Sequence, residues 1–426
     1  MANPRIQAPK GTRDLLPPET AVWAAVESAA REVFALYGYR EIRTPIFEET
    51  ELFVRGVGES TDIVGKEMYT FEDKGGRSLT LRPENTAPVC RAYLEHGMQS
   101  LPQPVRLFYV GPQFRAEKPQ KGRYRQFSQI GAELLGGRGA ESDAEILLLL
   151  VAFLRRLGFA DLKVLLNTVG DEASRAAYRR ALVEYFEMRK AHLGEDSLRR
   201  LATNPLRILD SKDPREQEVL AGAPRLEASL TAESREQFAA VRAALEAFRV
   251  AYEVSPRLVR GLDYYTHTVF EIVSEGLGAQ NAICGGGAYE KLVEELGGPA
   301  TYGVGFAIGE DRLIDVLPAA TRTRLAGVGP AVVAPMGKLP DDAAGVSPLL
   351  ELLQELRAEG IPAIQGPAKK ERLFAFAESI QAPVIVFLGE TELQQKTLAL
   401  RDLRTRNQES IPRAQAADRL RSFFPK

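Results

Sequence analysis

The chain of 426 residues is 45% hydrophobic and 26% charged, with a formal net charge of −2. These values are ordinary for a globular protein, and the length exceeds what one hydrophobic core supports, so we expect two or three domains. The near-neutral balance excludes a protein that is basic overall, so any nucleic acid must meet a local basic patch.

Cysteine and histidine are scarce and widely separated in this chain. Cys90 and Cys284 are the two cysteines, and His96, His192 and His267 are the three histidines. These numbers exclude a disulfide framework and a cysteine-rich zinc site and argue against a histidine metal site, so we expect no protein-bound metal. No basic start precedes an apolar run, and no apolar run reaches about 18 residues. We therefore expect a cytoplasmic protein.

The N-terminal part predicts a helix and then a strand. Thr20 can cap a helix over about 21–37 with one apolar stripe, and Gly38 ends it. A strand is predicted over 41–47. Because Pro45 lacks an amide donor, this strand should lie at a sheet edge or an interface, and a second copy of the chain is one way to cover such an edge.

A hairpin is predicted over 67–81, followed by a helix through 87–94. Glu84 lies where this helix would begin. Its carboxylate can favour the helix N-terminus, or it can face a cationic ligand, and the capping interpretation is the commoner one.

The stretch 114–133 predicts a second hairpin around the basic loop 118–122. Arg115 and Glu117 end its first strand. Alternate residues of the second strand place two cations, an aromatic ring, an amide, a glycine and a carboxylate on one face: Arg123, Arg125, Phe127, Gln129, Gly131 and Glu133. Arginine suits phosphate, phenylalanine can stack on a base, and glycine admits a ligand. The alternative is an amphipathic hairpin with solvated charges.

A strongly apolar helix over about 144–157, capped by Ser142 or Asp143, should pack against a sheet, and a strand is predicted over 162–167. Between 171 and 248 charged helical patterns dominate, which indicates a helical insertion between two parts of one sheet. Composition does not decide whether this insertion contacts RNA.

Strand character returns over 252–273, where Arg260 adjoins Gly261 and two tyrosines, Tyr264 and Tyr265, follow. Gly285–Gly287 predicts either a turn or a tight strand. An apolar strand over 304–308 then enters a helix with Arg312 in its first turn. The glycine spacing matches neither a Walker loop nor a dinucleotide fold.

The stretch 318–329 has the composition of a linker. Alternating strands and helices then predict a small α/β domain with a mixed or parallel sheet. From 396 to 426, eight Lys and Arg stand against three Asp and Glu, a net charge of +5. This end of the chain is a candidate RNA contact, although solvated charge is the commoner explanation.

Three arginine elements, one aromatic ring and several carboxylates suit a reaction that needs charge neutralisation and positioning, such as phosphoryl or nucleotidyl transfer. The motifs lie at 44–46, 56–58, 66–68, 79–84, 114–115, 121–127, 260–265 (Arg-Gly-Leu-Asp-Tyr-Tyr) and 305–309 with Arg312. In these the chain resembles the bacterial histidyl-tRNA synthetases, class II aminoacyl-tRNA synthetases, along essentially its whole length.

The resemblance implies an α+β catalytic domain over 1–325 with a mainly antiparallel sheet, carrying a helical insertion at about 171–248. It also implies a C-terminal α/β anticodon-binding domain over 330–426. The implied reaction activates L-histidine with ATP and transfers it to tRNA(His), with Mg²⁺ accompanying ATP, no tightly bound cofactor and a homodimeric protein.

The implied residue roles fall into two sets. For ATP the resemblance implies Arg115, Glu117, Arg123, Phe127 and Arg312, with Arg115 and Arg260 as the catalytic cations. For histidine it implies Glu84, Thr86, Arg115, Gln129, Glu133, Arg260, Tyr264, Tyr265 and Tyr289. Glu133 and Tyr265 would bracket the imidazole, since it donates at one nitrogen and accepts at the other.

The chain departs from the family pattern at Asn85, Ser128, Ala288, Glu290 and the pair Glu310–Asp311. The altered glycine stretch lends some weight to an alternative, a non-catalytic synthetase-like regulatory subunit of ATP phosphoribosyltransferase. Arg115, Arg260, Arg312 and the C-terminal domain favour the ligase.

Overall fold

The protein folds into two compact units. The computed structural model describes residues 6–58, 61, 63–118, 122–256, 258, 262, 264–273, 282–337, 339, 346–367 and 369–424. The large unit contains Trp23–Arg322 together with the N-terminal residues up to Leu15, and the C-terminal unit contains Leu16–Val22 and the chain from Thr323 onward.

Eleven described strands belong to the large unit. They are β1 (Arg40–Glu41), β2 (Phe47–Glu49), β3 (Tyr69–Glu72), β4 (Ser78–Leu81), β5 (Val105–Phe114), β6 (Gln126–Leu135), β7 (Lys163–Thr168), β8 (Tyr252–Val254), β9 (Thr266–Val273), β10 (Ala282–Tyr289) and β11 (Gly303–Gly309). Eight of them form one sheet in the order β1-β5-β6-β11-β10-β9-β7-β8, and β2-β4-β3 form a small second sheet. The β1–β5 and β7–β8 pairs are parallel and the other pairs are antiparallel, so the mainly antiparallel fold is confirmed.

The helices of the chain up to residue 326 are α1 (Glu19–Leu36), α2 (Thr50–Val57), α3 (Thr86–Glu95), α4 (Gly139–Arg156), α5 (Glu172–Glu187), α6 (Glu195–Thr203), α7 (Gln217–Ala221), α8 (Ala232–Ala247), α9 (Leu292–Glu295), α10 (Glu310–Asp315) and α11 (Ala319–Ala326). Phe34 of α1 makes edge-to-face contacts with Phe108, Phe153 and Phe306, whose ring centroids lie 5.4–5.9 Å away. These contacts place α1 and α4 against one face of the large sheet, as the apolar stripes predict.

The helical insertion is confirmed. Between β7 and β8, where the fold of every residue is described, the chain forms only helices, turns and bends. β7 then pairs with both β8 and β9, so the chain returns to the sheet that it left. Apolar residues such as Leu182 and Phe186 of α5 belong to the same buried cluster as Tyr109 and Val269 of the sheet.

The single strand predicted over 41–47 is wrong, because β1 and β2 belong to different sheets. Between them, Arg82 Nη1 donates to Thr44 O at 3.0 Å and to Pro45 O at 3.3 Å. The Arg82 side chain thus donates hydrogen bonds to carbonyl oxygens between the two strands. Proline has no amide proton and cannot continue a strand ladder at this point. β1 and β2 each lie at the edge of a sheet, but Pro45 belongs to neither strand.

Five further boundaries differ from the predictions. Helix α1 begins at Glu19, so Thr20 lies inside the helix and does not cap it. The stretch 252–273 contains two strands, and the linker over 318–329 contains α11. The second strand of the central hairpin begins at Gln126, not at Arg123. Helix α4 begins at Gly139, and Ser142 lies within it, where its Oγ accepts a hydrogen bond from Arg138 N at 2.8 Å.

The C-terminal unit confirms the predicted small α/β domain with a mixed sheet. Its elements are β12 (Ala331–Met336), α12 (Pro348–Ala358), β13 (Ala363–Gln365), α13 (Lys370–Ser379), β14 (Val384–Gly389), α14 (Glu390–Gln395), β15 (Thr397–Asp402), β16 (Gln408–Pro412) and α15 (Ala416–Arg421). The order is β13-β12-β14-β15-β16, with β12 parallel to β13 and β14. Val333 packs with the leucines of α12, whereas Val332 packs with Leu373 of α13, so helices cover both faces. Among the described residues, no helix is long and apolar enough to cross a membrane.

Candidate active site

Two rows of residues that are rich in glycine cross one face of the large sheet. Antiparallel register sets Tyr109, Gly131, Ala307, Gly285 and Glu271 side by side on β5, β6, β11, β10 and β9. The next row in the same direction contains Glu133, Gly305 and Gly287. Directly opposed residues share a face, so these positions form the floor of one site.

A cleft of about 240 Å³ opens at the end of this floor, near the β5–β6 hairpin. Six of the predicted site residues line it, namely Arg115, Glu117, Arg123, Phe127, Gln129 and Arg312. The other lining residues are Gly122, Tyr124, Glu271, Ala282, Ile283, Cys284, Gly285, Ala307, Gly309 and Asp311. The structure therefore brings together arginines separated by nearly 200 residues of sequence.

Backbone carbonyls fix two of the three arginines of the cleft. Arg115 Nε donates to Pro83 O at 2.9 Å, and the Arg115 guanidinium carbon lies 5.4 Å from the centroid of the Phe127 ring. Arg312 donates from Nε to Gly122 O at 3.1 Å and from Nη1 to Ala282 O at 2.8 Å. Burial lowers the pKa of Arg312, and the neighbouring cations Arg123 and Arg115 lower it further. These arginines can bind an anion through their free nitrogens, while the carboxylates of Glu117, Glu271 and Asp311 line the same cleft.

Arg123 and Glu117 form an ion pair with each other, with 2.8 Å between Arg123 Nη1 and Glu117 Oε2. Both side chains line the cleft and are largely covered. Ligand contacts through these two atoms would compete with this pair.

Glu133 is the centre of a buried polar cluster deeper along β6. Its side chain accepts hydrogen bonds from Thr86 Oγ1 and Tyr289 Oη, each at 2.7 Å, and only 1% of the residue is exposed. Burial raises the pKa of Glu133 to about 8, although the Thr86 and Tyr289 bonds act to lower it. Two fixed donors and a buried carboxylate form a rigid polar recess.

Tyrosine rings enclose this recess. Tyr264 lies 4.7 Å from Tyr265 and 5.6 Å from Tyr289 between ring centroids, and all three side chains are buried. The predicted histidine-binding residues Thr86, Glu133, Tyr264, Tyr265 and Tyr289 are thus in one place, although Gln129 lies in the adjoining cleft.

Glu84 caps helix α3, which confirms the capping interpretation. Its carboxylate accepts from Thr86 N at 2.7 Å and from Ala87 N at 3.0 Å. Burial raises the pKa of Glu84. The cap fixes the backbone of Thr86, and the Thr86 hydroxyl donates a hydrogen bond to Glu133. The contacts that cap α3 therefore also position a side chain of the recess.

The glycines of the floor make room for protein rings, which corrects the prediction that Gly131 admits a ligand. A Cβ atom at Gly131 would lie 2.3 Å from Cζ of Tyr109. At Gly287 it would lie 2.8 Å from Cδ1 of Tyr265, so the glycine stretch, which is a strand and not a turn, seats an aromatic ring. Aromatic side chains therefore define the recess above a glycine floor.

Some predicted residues lie elsewhere. Arg125 does not share the face of Phe127, because it precedes β6 and its side chain donates to Lys10 O and Glu117 O. Arg260 lies outside the described residues, as do 119–121 of the hairpin loop. Among the described residues, no cluster of three or more His, Cys, Asp or Glu could hold a metal ion.

Tyr109, Glu271 and Asp311 also belong to the site, and no sequence pattern predicted them. Tyr109 and Glu271 belong to the row through Gly131, and Asp311 lines the cleft beside Arg312. Alternation along a strand assigns Tyr109 and Glu271 each to one of the two faces of the sheet. Which face carries the site depends on how distant strands pair. That pairing has no local sequence signal.

A sequence model of the family described as histidyl-tRNA synthetase matches residues 11–313, and one described as anticodon binding domain matches 331–423. The chain belongs to the histidyl-tRNA synthetase family. The histidine–tRNA ligase of Thermosynechococcus vestitus is 47% identical over 415 residues, covering 96% of this chain and 94% of that protein. The histidine–tRNA ligase of Desulforudis audaxviator is 46% identical over 419 residues, covering 98% of each.

A solved structure shows the same fold. The crystal structure of apo histidyl-tRNA synthetase from S. aureus aligns with a TM-score of 0.79 at 36% identity. The alignment covers 98% of this chain and 100% of the S. aureus chain. The helical insertion and the C-terminal unit therefore both belong to the shared architecture.

The departures from the histidyl-tRNA synthetase pattern have structural partners in this chain. Asn85 Oδ1 accepts from Thr44 Oγ1 at 2.7 Å, and Glu290 Oε1 lies 3.0 Å from Nε2 of the buried His267. Ala288 faces Val304 across the β10–β11 ladder. None of these three residues lines the cleft.

Glu310 is a buried carboxyl beside the cleft, and its burial predicts how the stability of the protein depends on pH. The residue is fully buried, and the contact of its carboxyl group with Ser128 only partly offsets the effect of burial on its ionisation. Burial raises the pKa of Glu310 to about 8. The folded state then holds a proton that the unfolded state loses above its ordinary pKa of about 4.3, so stability falls as pH rises from about 4.3 towards 8.

Glu310→Leu should therefore raise the Tm at pH 8, by about 1–2 °C for each kcal/mol gained in a unit of this size, and change it much less at pH 5. Differential scanning calorimetry at the two pH values measures this, with Glu95→Gln, an exposed carboxylate of α3, as the control. Equal shifts at both pH values would mean that packing, not ionisation, sets the effect.

Proposed function

We propose that this protein is a histidine–tRNA ligase, an ATP-dependent enzyme of protein biosynthesis. Membership of the histidyl-tRNA synthetase family supports it, and so does one observation about the site. Three arginines line a cleft that adjoins a recess holding a buried carboxylate and phenol hydroxyls. Arginine side chains suit the phosphates of a triphosphate, and the recess suits an imidazole.

For ATP, the proposal assigns the adenine to Phe127 and Glu117 and the phosphates to the arginines. Phe127 offers a ring face for stacking, which contributes about 1–3 kcal/mol for a base. Arg115 would contact the α-phosphate, and Arg123 and Arg312 the outer phosphates. Because Glu117 and Arg123 pair with each other at 2.8 Å, binding would exchange this ion pair for contacts with adenine and phosphate.

For histidine, Glu84, Thr86 and Gln129 would bind the amino end, and Glu133 and Tyr265 would bracket the imidazole. Tyr264 and Tyr289 would line the recess. Tyr289 and Thr86 already hold Glu133 in place, so its orientation does not depend on the ligand. A recess built from buried hydrogen-bonding groups discriminates against analogues that leave those groups unpaired by about 10⁴-fold.

The reaction would proceed in two steps. A carboxylate oxygen of histidine attacks the α-phosphorus of ATP, the bond to the β-phosphate oxygen breaks, and pyrophosphate leaves. A hydroxyl of the terminal ribose of tRNA(His) then attacks the carbonyl carbon of histidyl-adenylate, and AMP leaves. Arg115 and Arg260 would stabilise negative charge at the α-phosphate. Mg²⁺ would enter with the ATP phosphates as part of the substrate.

The domain assignment also belongs to this proposal. Residues 1–325 would catalyse both steps, with the insertion at about 171–248, and residues 330–426 would bind the anticodon of tRNA(His). The enzyme would work in the cytoplasm as a homodimer. The edge positions of β1 and β2 support an interface near Pro45, since uncovered edges invite pairing.

The regulatory-subunit alternative is disfavoured. The residues that suggested it, Ala288 and Glu290, do not line the cleft, and the full-length relatives above are named histidine–tRNA ligases.

One experiment tests the function directly. Purified protein is assayed for ATP–pyrophosphate exchange with each of the twenty amino acids, and then for charging of tRNA(His). We expect exchange with histidine alone, exceeding every other amino acid by about 10³-fold or more. No exchange with any amino acid would contradict the proposal and favour the regulatory subunit.

A further inference from the structure

The carboxylate of Asp311 joins two elements that carry proposed ATP contacts. Asp311 is the second residue of α10 and directly precedes Arg312. Its Oδ2 accepts a hydrogen bond from Ser128 N at 3.2 Å, and Ser128 directly follows Phe127 on β6. One side chain therefore links the strand of the Phe127 ring to the helix of the Arg312 guanidinium.

This link begins where the β6–β11 ladder ends. The last pair of that ladder is Gln129 with Gly309, after which the chain turns into α10. On the other side of β6, Ser128 faces Pro112, which has no amide proton. The Asp311 carboxylate thus continues the connection between the two elements beyond the backbone ladder.

Arg13 from the N-terminal segment holds this carboxylate. Arg13 Nη2 donates to Asp311 Oδ1 at 3.0 Å, and only 8% of the Asp311 side chain is exposed. The Arg13 guanidinium carbon also lies 4.9 Å from the centroid of the Tyr124 ring and 5.9 Å from that of Trp23. A guanidinium that packs against two rings and pairs with a carboxylate has little conformational freedom. Arg13 is therefore a rigid partner for Asp311.

Residues 10–13 are attached to the hairpin as well. Arg125 N donates to Gly11 O at 2.7 Å, and Arg125 Nη1 donates to Lys10 O at 3.3 Å. Tyr124, which stacks on Arg13, follows Arg123 in sequence. The segment 10–13 therefore contacts both the hairpin and α10, the two sides of the cleft.

We propose that Arg13, acting through Asp311, is a positioning residue that sets the spacing between Phe127 and Arg312 and so orients ATP. This rests on the proposed function, because it assigns ATP to that cleft. Removing Arg13 leaves a buried carboxylate without its cation, which is costly and frees α10 to shift relative to β6. A shift of about 1 Å at such a site can cost about 10²-fold in rate.

The test compares Arg13→Ala, Arg13→Lys and Asp311→Asn in pyrophosphate exchange at varied ATP and histidine. We expect Arg13→Ala to raise the KM for ATP about tenfold while the KM for histidine stays within about twofold. Arg13→Lys should recover part of the loss because it restores the charge. In the Arg13→Ala/Asp311→Asn double variant the effects should be less than additive. Arg156→Ala, which removes an exposed ion pair with Glu32 in the same unit, is the matched control.

Trp23 provides a readout that does not need catalysis. It is the single tryptophan of the chain and it packs against Arg13. Titration of Trp23 fluorescence with ATP should therefore report binding, with Kd about tenfold higher in Arg13→Ala. This result in a protein without exchange activity would refute the proposed function and leave the positioning role standing.

Two outcomes would overturn the positioning role. One is an unchanged KM and Kd for ATP in Arg13→Ala. The other is an equal rise of both KM values together with a lower Tm and no recovery in Arg13→Lys, which would show general destabilisation instead of a defect in ATP positioning.

Discussion

Arg115→Ala should lower histidine-dependent ATP–pyrophosphate exchange by about 10³-fold or more. Arg115 lines the cleft beside Phe127, and its Nε is anchored on Pro83 O at 2.9 Å. In the proposed function, the terminal nitrogens of Arg115 contact the α-phosphate and the histidine carboxylate, which repel each other until a cation lies between them. Because charge builds up at the α-phosphate in the transition state, the loss should fall mainly on kcat.

Single-turnover formation of histidyl-adenylate measures this loss without the pyrophosphate exchange cycle. Arg77→Ala is the control, since Arg77 pairs with Asp73 at the exposed end of the β3–β4 hairpin. The Tm of both variants shows whether folding is intact. A rate of adenylate formation within about tenfold of that of the unmodified protein would show that Arg115 does not take part in the chemical step.

At pH 8.5, above the Glu133 pKa of about 8, Glu133→Gln should lower kcat/KM for histidine by about 10²-fold while the KM for ATP changes little. In the structure, both Thr86 Oγ1 and Tyr289 Oη donate to this side chain at 2.7 Å. A glutamine must turn an NH₂ group towards one of these donors or towards the imidazole, so one buried hydrogen bond is lost. A hydrogen bond to a charged group contributes about 1.5–3 kcal/mol, which corresponds to a loss of this size.

The same residue predicts a pH dependence. Burial raises the pKa of Glu133 to about 8, so the carboxyl is mostly protonated at pH 7. An imidazole N–H forms a stronger hydrogen bond with an ionised carboxylate than with a protonated carboxyl group. Therefore kcat/KM for histidine should fall as pH decreases from 8.5 to 7, whereas free histidine keeps a mainly neutral ring because its pKa is about 6.5.

The pH profile of Glu133→Gln over the same range should be flat, and Glu95→Gln should keep the original slope. The measurement is kcat/KM for histidine at saturating ATP. A profile that is the same in the protein with and without Glu133 would assign the titration to another group.

Local patterns predicted the elements well. Gly38 at the end of α1, the alternation of Phe127 with Gln129 on β6, and the apolar run before Arg312 concern neighbouring residues, whose spacing decides helix or strand. The motifs predicted the same six cleft residues that the structure brings together. The wrong predictions concern the ends of strands. Arg125 directly precedes β6, and the stretch 41–47 contains the break between β1 and β2.

By itself, the sequence determined the family, the order of helices and strands, and the residue types available for a triphosphate and an imidazole. Tertiary structure alone decided what holds those residues in place. Glu133 is held by Thr86, 47 residues away, and by Tyr289, 156 residues away, while Arg13 reaches Asp311 across 298 residues. Such contacts depend on the register between distant strands, and spacing along the chain carries no information about it.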